Sequence, residues 1–166
     1  MNNLKLAASS ILAALVSGPV FSEELPEFYA FRVTVTLSNG LVYEDVNQVQ
    51  EQIGNGNVES VPYMVTSCEN KANRTIKKAG GKHFKQGANY LVDLPTSTLN
   101  VTTFQIDESG YTEPTEINKD TCYNSGQPVD VKFKHSFIFD LNNSNVQTFP
   151  LTNGGDVKFI IQKIVN

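Results

Sequence analysis

Period-two alternation of apolar and polar residues is the clearest pattern along this chain. From Tyr29 to Leu37 the odd positions are Tyr29, Phe31, Val33, Val35 and Leu37, with Ala30, Arg32, Thr34 and Thr36 between them. Successive strand residues point to opposite faces of a sheet, so the segment predicts a strand with one face buried and the other in water. Asn39-Gly40 follows, then Leu41 to Val46. An Asn-Gly pair between two apolar runs suits the positive φ angles of a type I′ turn and predicts a hairpin. Val129 to Leu141 repeats the pattern at greater length. Val129, Val131, Phe133, His135, Phe137, Phe139 and Leu141 share one face, and Asp130, Lys132, Lys134, Ser136 and Asp140 the other. Asn142 to Asn145 reads as a turn. Val146 to Leu151 and Val157 to Val165 read as two more strands around Asn153-Gly154-Gly155, the last covered on both faces because Ile160 interrupts the alternation.

The middle of the chain is less regular. Tyr90 to Leu94 and Leu99 to Asp107 predict strands separated by Pro95. In the second, Leu99 and Val101 are odd but Phe104 and Ile106 are even, and this parity flip at Thr102-Thr103 predicts a bulge. Val49 to Ser60 and Thr112 to Gly126 read as loops. Residues 67–79 admit two readings. Thr66-Ser67-Cys68-Glu69 has capping-box spacing, Cys68, Ala72, Ile76 and Ala79 fall on one helical stripe, and Gly80-Gly81 would end a short helix. The competing reading is a strand, a turn at Asn70 to Asn73, and a return strand. The sum is an all-β, mainly antiparallel, single-domain β-sandwich or small barrel of seven to eight strands, with or without that one short helix. The terminal alternating segments are the expected edges, where a partner could add a strand.

The first 22 residues predict a destination rather than a fold. Lys5 supplies a positive start, Leu6 to Val16 an apolar run, and Gly18-Pro19 a break before Val20-Phe21-Ser22. That is the pattern of a signal peptide cut after Ser22, leaving 23–166 as one domain. The run is shorter than the ~20 apolar residues of a spanning helix. Export to the periplasm or beyond the cell is therefore expected. In that setting Cys68 and Cys122, the only cysteines, are expected to pair. Closing such a loop contributes about 4 kcal/mol in the chain-entropy account.

Charge then narrows the partners. The chain carries a formal net charge of −4, and loss of Lys5 makes it more acidic. This argues against a nucleic-acid partner, since phosphate binding needs cationic neutralisation. Yet Lys71, Arg74, Lys77, Lys78, Lys82 and Lys85 crowd half of the remaining basic residues into one short stretch, free of carboxylates from Glu69 to Asp93. This is a candidate basic patch for an anionic glycan or acidic protein surface, with His83 and Phe84 able to add stacking. The alternative is a solvated loop offset by Asp107, Glu108, Glu113, Glu116 and Asp120, which a Cys68–Cys122 bond would draw close.

Candidate catalysis is thin. There is no GxSxG and no HExxH, and His83 and His135 have no diagnostic neighbours. Asp140, Asn142 and Ser144 share the spacing of a calcium loop but lack its Gly and Glu. His135 is a polar ring on an apolar face, suited to a core position or a sheet edge. No cofactor or metal is expected. The sequence therefore points first to an exported non-enzymatic binding or structural module. The alternatives are a small secreted hydrolase using unmarked carboxylates and an inhibitor of an exported enzyme.

Overall fold

The computed structural model describes residues 27–72, 74–114 and 122–164. The leader read at 1–22 lies outside the described residues. Eight strands follow one another: β1 (Phe28–Leu37), β2 (Val42–Val49), β3 (Gln52–Lys71), β4 (Arg74–Asp93), β5 (Thr98–Asp107), β6 (Val129–Ile138), β7 (Gln147–Pro150) and β8 (Gly155–Ile164). They form two antiparallel four-stranded sheets, ordered β2-β1-β8-β7 and β3-β4-β5-β6. The fold is an all-β sandwich.

The odd positions of β1 turn inward as their alternation requires. Phe31, Val33, Val35 and Leu37 are buried, and Val157, Phe159 and Ile161 of β8 lie beside them. Ala88, Tyr90 and Val92 of β4 and Leu99 and Val101 of β5 supply the facing layer, with Phe139 and Leu151 from the connections. Phe159 packs on Phe139 with ring centroids 4.8 Å apart. Each large apolar side chain buried in this way contributes about 1.5–3 kcal/mol, which makes the interface between the sheets the main source of stability.

Several sequence expectations are corrected. The β1–β2 connection is a hairpin, but Gly40 is the loop's single positive-φ residue (84°). Its N–H donates to the Leu37 carbonyl, and the Leu37 N–H donates to the Leu41 carbonyl. That is a three-residue loop closed by a left-handed glycine, not a type I′ turn. The alternation in β1 marks a buried face but is silent about neighbours. β1 pairs with both β2 and β8 and is interior, while β8 is flanked by β7 only over Asp156 to Phe159.

No bulge occurs at Thr102-Thr103, where the ladder to β6 runs unbroken. The parity flip arises because Phe104 lies on the outer face, with the Lys132 ammonium 5.3 Å from its ring centre. The short helix is replaced by strand, turn and strand, with Cys68 opposite Lys77. A helix of some eleven residues is marginal on its own, whereas here Ser67 to Lys71 and Arg74 to Ala79 join a ladder that runs the full length of β3 and β4. The same ladder converts most of the expected 49–60 loop into strand.

Candidate functional site

β3 and β4 are each 20 residues long, but β5 covers β4 only from Gly87 to Asp93. Beyond Gly87 the two strands continue as a ribbon, roughly 40 Å of chain at ~3.3 Å per residue. Gly87 marks the departure point. Its φ is 145°, and a side chain there would meet the Asn57 carbonyl oxygen at 2.1 Å and Val58 Cα at 2.8 Å. Residues 74–83 of this arm are all exposed, apart from the two-stranded pairing itself.

All six predicted basic residues fall on the arm. Strand alternation divides them, with Lys71, Arg74, Lys78 and Lys82 on one face and Lys77 and Lys85 on the other. Glu69 holds two of them, at 2.7 Å from Lys78 Nζ and 3.5 Å from Lys71 Nζ. The Lys78 hydrogen bond holds the Glu69 carboxyl below its ordinary value. Exposed pairs of this kind add little net stability, so the charges remain available to a stronger partner. Lys82 Nζ donates to Gln127, and the Lys85 backbone N–H donates to Asp130 at 2.7 Å.

Of the expected stacking pair, Phe84 is buried against Tyr63, ring centroids 5.4 Å apart, whereas His83 is exposed and shares a 3.2 Å hydrogen bond with Ser60.

The disulfide lies near the far end of the arm, where Cys68 stands opposite Lys77. Cys68 and Cys122 are bonded, with Cα atoms 5.6 Å apart, and the residues after Cys122 lace onto β3. Thr66 N–H donates to Ser125 Oγ, Ser125 N–H donates to the Thr66 carbonyl, and Cys68 N–H donates to Asn124 Oδ1. Tyr63 donates to Glu108, and Tyr111 donates to the Met64 carbonyl. Burial, then Glu108, pushes the Tyr63 hydroxyl up to about 12. Asp107 ends β5, Glu108 and Glu113 lie on the connection after it, and Glu116 and Asp120 lie outside the described residues.

Between the arm and this laced segment runs an open trough of 640 Å³, lined by Val65, Lys78, Gly80, Gly81, Lys82 and Gln127 among others. A Cβ at Gly80 or at Gly81 would meet nothing within 4 Å. Packing does not demand glycine at either position. The pair leaves bare backbone between two lysines.

A second concavity, which the sequence did not signal, opens between the sheets where β2 faces β3. It has a volume of 150 Å³. Val33, Val35 and Ala88 lie at its base, and Tyr43, Asp45 and Asn55 are among its walls. The Tyr90 hydroxyl and, at 2.8 Å, Asn55 Nδ2 both donate to Asp45 Oδ2. Burial, and then the Asp45 carboxylate, raise the Tyr90 hydroxyl above its ordinary value.

Among the described residues, no three His, Cys, Asp or Glu side chains are grouped to hold a metal ion, and no helix is long and apolar enough to cross a membrane. Comparison of the chain with protein families, with curated proteins and with solved structures finds no match.

Proposed function

We propose that this protein is an exported binding module whose β3–β4 arm holds an anionic glycan in the trough between Lys78 and Lys82. The trough carries this reading. It places two ammonium groups on one face of the strand, with Gly80 between them adding no side chain to block approach. Sulfate or carboxylate groups of a glycan would displace Glu69 from Lys78, and exposed charges of this type bind with strong dependence on ionic strength. The Cys68–Cys122 bond supports the exported setting, because such bonds persist in oxidising compartments.

The test is retention on a sulfated-glycan matrix under a salt gradient. The wild-type chain is expected to bind and to elute with salt. The triple variant Lys77→Glu, Lys78→Glu, Lys82→Glu is expected to pass through. Gly80→Val, which puts a side chain between Lys78 and Lys82 on their own face while favouring strand, is expected to elute at lower salt than wild type. Retention that ignores salt and all four changes would sink the proposal. Selective retention on an acidic protein surface instead would assign the arm to a protein partner, the reading that an inhibitor would share.

A further inference from the structure

The slot between β2 and β3 has the composition of a small-ligand site rather than of a packing defect. Its base is dry, since Val33, Val35 and Ala88 are each no more than 4% exposed. Asp45, half-buried, stands at its wall. The two donors described above both bond Asp45 Oδ2, which fixes the carboxylate plane and leaves Oδ1 with no described partner. Tyr90 has committed its proton to that bond. The only other charged residue of the lining, Glu44, lies 3.5 Å from Arg32 on the outer face of the sheet.

Among the described residues, no Lys or Arg lines the slot. A preset carboxylate oxygen above an apolar floor, beside the Tyr43 ring, repels anions. A wholly apolar guest would leave the charge unpaired and poorly hydrated, which is costly. A protonated amine on an apolar stem satisfies every part of the slot: the stem against the valines, the ammonium on Oδ1, and the aromatic ring beside the cation.

We propose that this slot binds a protonated primary amine carried on a short aliphatic stem, with Asp45 as its counter-ion and Tyr90 and Asn55 as the residues that position that carboxylate. This site is separate from the arm and of opposite charge preference.

The experiment titrates the isotope-labelled full chain with n-butylammonium, with N-acetyl-lysine-N-methylamide, and with the uncharged n-butanol and N-acetyl-norleucine-N-methylamide, following backbone amide shifts. Saturable shifts at Val33, Val35, Tyr43 and Ala88 are expected with the amines, with the neutral probes at least about tenfold weaker. The tighter of the two amines identifies the source as a free amine or a lysine side chain. Asp45→Asn, with its spectrum otherwise dispersed as in wild type, should lose the preference for charge. Equal binding of charged and neutral probes, or no shifts at those four residues, would overturn the assignment. The wild-type comparison decides even if Asp45→Asn does not fold.

Discussion

Phe31 of β1 and Tyr90 of β4 meet edge to face across the gap between the sheets, ring centroids 5.8 Å apart and planes at 84°. The Tyr90 hydroxyl then reaches Asp45 of β2, so one side chain joins strands of both sheets. Two substitutions separate these roles. Phe31→Ala empties the core position and should cost about 3–5 kcal/mol. Tyr90→Phe keeps the ring contact, removes one donor from Asp45, and should cost about 1–2 kcal/mol. Urea denaturation of the two variants gives the comparison, and the reverse order would contradict the packing described.

Gly87 should be intolerant of any side chain. Its backbone conformation costs a non-glycine residue about 1–3 kcal/mol before contacts are counted, and a Cβ would also run into the Asn57 carbonyl. Gly87→Ala is expected to lower the denaturation midpoint clearly. Gly80→Ala, in open space, should leave it within about 0.5 kcal/mol of wild type.

The disulfide closes a loop with a sequence separation of 54. Replacing both cysteines with serine should remove up to about 4 kcal/mol. Because the bond ties the laced segment to β3, limited proteolysis should then cut first between β5 and β6. Unchanged stability with unchanged cleavage would show that the Thr66, Ser125 and Asn124 hydrogen bonds suffice.

His135 is 9% exposed and stacked between Phe133 and Phe137, with centroids 6.5 and 6.0 Å from its ring. Burial lowers its pKa, and neighbouring Asn153 pulls the other way more weakly, with no hydrogen bond of ordinary geometry to the buried Nε2. The unfolded chain therefore takes up this proton at a higher pH than the folded one. Stability should fall as pH drops through the unfolded value of about 6.5, and level off below the depressed folded value. The slope from one proton is at most about 1.4 kcal/mol per pH unit. His135→Phe, which continues the stack, should flatten this part of the profile in urea titrations between pH 7 and 5.

On the proposed reading, Glu69, paired with Lys71 and Lys78, competes with the glycan for the arm. Glu69→Gln should raise the salt needed to elute the protein from the sulfated matrix. Lys78 holds the Glu69 carboxyl below its ordinary value, so it stays charged until the pH falls through that lowered value. Retention of wild type should strengthen as the pH falls through that range, and Glu69→Gln should lack this component. A glutamine variant that elutes earlier than wild type would contradict the competition.

The elements legible from the chain alone are those with one wet and one dry face. β1, β6 and β8 announced themselves through alternation, and Cys68 and Cys122 through being the only pair. The arm was harder because Arg74 to His83 are exposed on both sides, so no periodicity records that they are strand. Their conformation is fixed by the opposite residue in the ladder, which lies elsewhere in the sequence. The parity of β5 misled for a related reason: Phe104 is covered on the outer face by Lys132, a neighbour that only the register reveals. The six basic residues were found together, but their division between two faces, and the role of Gly80 and Gly81 between Lys78 and Lys82, needed the strand assignment first. The Asp45 slot draws on β1, β2, β3 and β4 with one or a few residues each, and no local pattern marks such a convergence.

Phe28 of β1 stands opposite Ile164 of β8. Of the described strands the first thus waits for the last before their pairing can form, and until then β2 is its one in-sheet neighbour. Long-range closure of this kind slows folding and prolongs exposure of sticky surface. A chain stopped anywhere before Gly155 would leave the β8 edge of β1 unpaired, a row of open backbone groups ready to join another chain.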